Sequence, residues 1–218
     1  MSAFAEFWNA LDRTALLSAA LRLAAVLLCL TVHETCHGLT AYALGDPTAK
    51  LQHRLSLNPL HHIDWLGLAA MLLLGFGWAK PVPVDMRYFK NPKRGMALTA
   101  LAGPVSNLLL AMLLMLLARV ILLHSPDAAA WGWAYAFLMI TARLSVGLGV
   151  FNLIPISPLD GSKVLFSALP DEKYETLMRY ERYGALILYA LIFFGVLDGF
   201  LSRAVGAVYQ ALVNLIFC

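Results

Sequence analysis

A chain of 218 residues that is 61% hydrophobic and 13% charged departs from a soluble domain, which carries about 25% charged residues. The apolar residues come in long runs, the mark of a polytopic membrane protein. A net charge of +3, with no basic stripe interleaved with aromatics, excludes a nucleic-acid partner. Cys29, Cys36 and Cys218 lie in apolar sequence and form no disulfide framework.

Residues 1–13 are expected to form an interfacial segment, because Phe4, Phe7, Trp8 and Leu11 recur at helical spacing. The first twelve residues contain Glu6 and Asp12 but no Lys or Arg. That is not the positive start of a cleavable signal, so the next apolar run reads as a retained anchor. It predicts a long helix over 14–44, stopped by Gly45-Asp46-Pro47. In 48–59, Lys50, Gln52 and Arg54 alternate with Leu51, Leu55 and Leu57, a pattern expected of a small interfacial β or loop element, drawn as a short strand pair. The run 65–78, interrupted by Gly67, Gly75 and Gly77, is too short for a full crossing and is expected to re-enter or tilt. A polar linker over 80–94 precedes a second span over 96–123 and a tight turn at 125–130. A third span begins at 131 and must break at Pro155 and Pro158 before 169. A charged stretch over 171–182 leads to two apolar segments, 183–197 and 200–217, expected to form a C-terminal helical hairpin.

The fold class expected is therefore an all-α polytopic membrane protein with three core transmembrane helices. Residues 14–169 would form the core, and 170–218 a cytoplasmic segment with the hairpin. Loops rich in Lys and Arg face the cytoplasm. Seven such residues fall in 45–94 and four in 163–182, against none in 125–130. Both rich loops are thus expected to be cytoplasmic, with Arg13, Arg22 and Arg203 counting mildly the other way.

The chemistry is concentrated in His33-Glu34-Thr35-Cys36-His37. Two histidines four apart project from one helix face and can share a tetrahedral zinc, while the adjacent Glu34 can take a proton from water. The same pattern arises by chance in soluble helices. Here it sits in a bilayer-length apolar helix, where a charged side chain costs about 2.5–3.5 kcal/mol, so a metal site is the better account. A catalytic zinc takes three protein ligands, and Asp160 is a candidate for the third. Prolines around it unwind the backbone, which at membrane depth requires burial in protein or a wet pocket. The alternative, that Asp160 merely caps a helix over 161–168, stands equally on these residues. His37 lies eight residues before Gly45, and Asp160 is a similar count before Pro170-Asp171-Glu172, so both would share a depth.

Other candidates read as structural. His53, His61 and His62 are expected at the interface, Cys36 in packing. Gly103-Pro104 and Asn107 are expected to allow close helix approach, with the amide bonding across helices rather than joining the site. The rival to an enzyme is a membrane metal-binding or zinc transport protein. A transporter would show ligands along a path and usually internal symmetry; one cluster and no repeat are visible. An inactive relative that merely binds helices is disfavoured by the intact Glu34.

Together these motifs resemble the site-2 protease family of intramembrane zinc metalloproteases, small bacterial type without a PDZ domain. The resemblance rests on His33 to Gly38, Gly45 to Ala49, Leu57-Asn58-Pro59 and His62-Ile63-Asp64. It continues with Gly77 to Val84, Ala102 to Asn107, Asn152-Leu153-Ile154-Pro155 and Leu159-Asp160-Gly161. It implies one Zn2+ per chain held by His33, His37 and Asp160, with Glu34 as general base. Asn152 would stabilise the oxyanion or orient substrate. It also implies cleavage of a transmembrane protein or peptide in the lipid bilayer, in a bacterial inner membrane, with the site nearer the cytoplasmic face. With 45–94 too short for a PDZ fold and no regulatory domain after Cys218, substrate choice is expected to come from the membrane core or a partner.

Overall fold

The computed structural model describes residues 13–74, 79–124 and 128–218, and the regular elements among them are all helical. The expected interfacial segment (residues 1–12), the end of the short apolar run (75–78) and the centre of the tight turn (125–127) lie outside the described residues.

Helix α1, Arg13–Ala43, is a single rod of 31 residues, about 46 Å at roughly 1.5 Å per residue. Gly45 ends it with φ +107°, a left-handed conformation that a side chain would strain. Asp46 N–H then turns back to the Ala41 carbonyl at 2.9 Å. The Asp46 side chain is fully buried and its carboxylate accepts from three donors. Oδ1 takes the Thr48 N–H at 2.9 Å and the Thr48 hydroxyl, and Oδ2 takes the Asp85 N–H at 2.7 Å. One charge therefore joins the end of α1, the start of α2 (Thr48–Leu51) and the extended segment before the next long helix.

The strand pair drawn over 48–59 is not formed: α2 is followed by irregular chain and a short 3-10 turn, Pro59–His61. Asp46 starts a helical turn at Thr48, and Leu51 and Leu57 are 71% and 74% exposed. The alternation offered no second face to bury, and the element is the loop that the same pattern allowed. Helix α3, Trp65–Leu74, has ten residues and a length of about 15 Å, half of a bilayer core of about 30 Å.

Helix α4, Pro92–His124, starts four residues before the apolar run does. Pro92 occupies the first turn, where its missing N–H costs nothing, and Asn91 Oδ1 accepts the Arg94 N–H at 3.1 Å. Helix α5, Ala128–Asn152, ends just before Pro155 and Pro158, and the chain turns through 153–159 into α6, Asp160–Ser167. The expected break is present. Helices α7 (Asp171–Arg179), α8 (Glu181–Phe193) and α9 (Asp198–Phe217) complete the chain.

Among the described residues, four helices are long and apolar enough to cross a membrane: Thr14–Ala43, Pro92–His124, Trp131–Asn152 and Asp198–Phe217. On α4, Leu109, Leu113, Leu116 and Val120 are all exposed along one face. A continuous apolar face of this extent is solvated by lipid, not water, and the protein is integral to a membrane.

Helix α4 is the hub, packed against α1, α5, α6 and α9. Its contact with α5 is close because small residues meet there. Ser145 Oγ donates to the Asn107 carbonyl at 2.7 Å, and Gly149 is buried against the Pro104 carbonyl. Farther along, Ala111, Leu114, Met115, Ala142, Val146 and Ile216 form the main core of α4, α5 and α9. A smaller core of Ile154, Leu159 and Leu188 seats the 153–159 turn on α8.

Asp46→Ala removes the acceptor shared by Thr48 and Asp85 and leaves the half-buried Asp85 N–H without this partner. We expect a loss of about 2 kcal/mol, read as a lower thermal midpoint of the full chain in detergent. An unchanged midpoint would contradict the joining role of this carboxylate.

Candidate metal centre

His33 and His37 stand one turn apart on the inner face of α1, their ring centroids 4.6 Å apart and their planes at 89°. Asp160 reaches them from the first turn of α6. Its Oδ2 lies 3.1 Å from His33 Nε2 and 3.2 Å from His37 Nε2. The three are the one group of metal-competent side chains among the described residues, with donor atoms all within 4.8 Å of one another. Although α6 begins at Asp160, the helix has no side-chain cap bond. The carboxylate points at the imidazoles, so the capping alternative does not hold. Gly161 permits this, since a Cβ there would run into the Leu153 carbonyl as the chain leaves the 153–159 turn.

The backing of the site comes from α4. Thr99, Gly103 and Asn107 lie four residues apart, on one helix face. Thr99 offers its carbonyl oxygen to His37 Nδ1 at 2.7 Å. Gly103 offers space: a Cβ would sit 2.5 Å from His37 Cε1 and Nε2 and 2.6 Å from His33 Cε1. Asn107, wholly buried, brings its side-chain amide to 3.2 Å from His33 Nδ1. Asn107 bonds across helices, as its sequence context predicts, and its partner is His33.

A carbonyl oxygen only accepts, so the proton of a neutral His37 sits on Nδ1 and Nε2 presents a lone pair to the Asp160 carboxylate. In that neutral form two lone pairs face each other at 3.2 Å, an arrangement relieved by a cation between them, either a proton or a metal ion. With a second imidazole nitrogen 3.1 Å from the same oxygen, the donor set is that of a metal ion. Bonds of about 2.0–2.1 Å to a tetrahedral zinc put neighbouring donors about 3.3 Å apart, close to both separations. Two nitrogens and a carboxylate oxygen also match the three-ligand composition of catalytic zinc sites, which leave a fourth position open. The residues fit zinc.

Glu34 is half-buried beside the ligand face, and its Oε2 accepts the Val82 N–H at 3.0 Å. Val82 lies in an extended segment held at several points. Arg54 Nη2 donates to the Lys80 carbonyl at 2.7 Å and the Pro81 carbonyl at 3.2 Å, and Lys80 N–H donates to the His62 carbonyl at 2.9 Å. Asn152 is at the end of α5, where its Nδ2 donates to the Leu148 carbonyl at 3.0 Å within its own helix. No bond joins it to the histidines or to Asp160. His62 is buried with Nε2 2.7 Å from the Ser56 carbonyl, and His61 Nδ1 is 3.1 Å from the His53 carbonyl. These three histidines stand apart from the cluster.

Sequence reasoning missed Thr99, Val82 and Arg54 and took Gly103 as a packing residue. The four-residue spacing of Thr99, Gly103 and Asn107 was the available signal. Val82 and Thr99 act through backbone atoms, which leave no residue-type signature. Gly103→Ala should push both imidazoles out of register and lower zinc affinity at least about tenfold, measured by chelator competition on the purified chain. Native affinity in that variant would contradict the role assigned to the gap.

The family model for Peptidase family M50 matches residues 117–197, a stretch that includes Asp160 and lies downstream of His33 and His37. The chain is 39% identical over 165 residues to "Putative zinc metalloprotease YwhC" of Bacillus subtilis, covering 74% of each chain. It is 34% identical over 170 residues to "Putative zinc metalloprotease Rip2" of Mycolicibacterium smegmatis, covering 76% of this chain and 64% of the relative. To the protein of the same name in Mycobacterium tuberculosis it is 34% identical over 192 residues, covering 84% and 69%. No solved structure matches. With the extent and level of these likenesses, the chain belongs to peptidase family M50, the site-2 family of zinc metalloproteases.

Proposed function

We propose that this protein is an intramembrane endopeptidase that hydrolyses a peptide bond within or near a transmembrane segment of its substrate. One zinc is held by His33, His37 and Asp160. The observation that carries this reading is the meeting of two imidazoles and a carboxylate at 3.1 and 3.2 Å, inside helices whose outer faces suit only lipid.

Bound zinc supplies Lewis acidity to the attacking water and to the carbonyl that it attacks. The chain's own residues handle the protons and the peptide. Glu34 is the general base: it takes the proton of the water and passes it to the departing amine. The Val82 N–H on Oε2 holds the carboxylate in place and leaves Oε1 for the transfer. Asn152 is assigned the orientation of the substrate carbonyl, through the amide N–H not used on the Leu148 carbonyl. The peptide must reach the centre extended, because carbonyls inside an intact helix are already hydrogen bonded.

Residues 14–169 form the protease core in this reading, and 170–218 a cytoplasmic segment and helical hairpin. The excess of Lys and Arg in 45–94 and 163–182 supports a site nearer the cytoplasmic face, and the bacterial relatives support a bacterial inner membrane. The partners are the bilayer and a membrane-spanning substrate.

The test compares the native and Glu34→Gln proteins, each in proteoliposomes with a candidate membrane substrate. Glu34→Gln should keep stoichiometric zinc and lose about 10²–10⁴-fold in cleavage rate, whereas Asp160→Ala should lose zinc itself. Full turnover by Glu34→Gln would remove the assigned base. Zinc flux through the native protein without proteolysis would favour a transporter instead.

A further inference from the structure

An imidazole that binds a metal through Nε2 carries its proton on Nδ1, and that proton needs an acceptor. For His37 the acceptor is the Thr99 carbonyl at 2.7 Å. For His33 the neighbour of Nδ1 is Asn107, whose Nδ2 lies 3.2 Å away. Asn107 is 0% exposed, and its Oδ1 is buried without a partner among the described residues.

The two ends of this planar amide exchange places by a half-turn about the side chain's last bond. Each orientation goes with one tautomer of His33. With Nδ2 on Nδ1, the ring's proton sits on Nε2 and points at Asp160 Oδ2, 3.1 Å away. With Oδ1 on Nδ1, the proton is held there and the Nε2 lone pair faces the carboxylate and His37. Only the second arrangement turns three lone pairs to one point.

We propose that Asn107 is a positioning residue of the metal centre, its Oδ1 accepting the Nδ1 proton of His33 and so committing Nε2 to the metal. The surrounding structure is built to hold it. The Asn107 carbonyl receives the Ser145 hydroxyl at 2.7 Å, Gly149 packs near its Cβ, and Gly103 one turn earlier makes room for both rings. Thr99 and Asn107, eight residues apart on α4, thus serve the two histidines in the same way, one by a main-chain and one by a side-chain oxygen. This inference rests on the zinc assignment above.

The test uses the full chain, purified in detergent, with zinc affinity measured by chelator competition. Asn107→Leu keeps the buried volume and loses the acceptor; it should bind zinc about 10–100-fold more weakly. Asn107→Asp keeps an acceptor and should stay within about threefold of native. A residue that only packs would give the opposite order, since Leu suits an apolar interior and a carboxylate does not. Nitrogen-15 spectra of the histidine-labelled native protein supply a readout independent of folding in the variants. With zinc bound, His33 should carry its proton on Nδ1. A proton on Nε2, native affinity in Asn107→Leu, or equal losses in Leu and Asp would each overturn the proposal. A native chain that takes up no zinc would instead overturn the assignment of the ligands, and this inference with it.

Discussion

The site depends on how a proton and a lone pair are distributed on each of two imidazoles. Asp160 brings one carboxylate oxygen within hydrogen-bond distance of both His33 and His37. What stands behind the rings decides which nitrogen of each neutral imidazole is free to bind a metal. Behind His37 stands a carbonyl that can only accept, so a neutral ring keeps its proton there and offers its Nε2 lone pair inward. The rest of the fold keeps α1, α4 and α6 close enough for this to persist.

That closeness is a packing result. In a bilayer no hydrophobic force drives helices together, and association comes from close van der Waals contact and interhelical hydrogen bonds. Small residues on α4 and α5 provide both. Gly103 admits the histidine rings, Gly149 lies against Pro104, and Ser145 reaches the Asn107 main chain. At one end of α4, Lys93 bonds the Leu169 carbonyl and pairs with Asp171, and toward the other Arg119 bonds the Ile216 carbonyl. Both charges are thereby placed on acceptors near the helix ends, leaving the lipid-facing surface apolar.

Much of this was legible in the residues. The spacing of His33 and His37 needs only helical geometry, and a bilayer-length apolar run dictates that helix. The break before Asp160 follows from two prolines. The meeting of these distant stretches was less direct: residue types allowed Asp160 to be either ligand or cap, and the likeness of the surrounding motifs to a protease family favoured the ligand. What composition could not carry was the main-chain chemistry. The acceptor on His37 is a threonine's carbonyl and the donor to Glu34 is a valine's N–H, contacts that any residue but proline at the latter position could make. The strand expected over 48–59 failed for a related reason. Its alternation was real, but a buried Asp46 carboxylate had already started a helical turn at Thr48.

The central claim, that two imidazoles and one carboxylate hold a single zinc, is tested most directly by X-ray absorption at the zinc edge on the purified full chain. The account predicts about one zinc per chain with a first shell of nitrogen and oxygen only, near 2.0–2.1 Å, and imidazole scattering equivalent to two rings. A sulfur shell near 2.3 Å, which would enlist a cysteine instead, or a shell without imidazole, would contradict it.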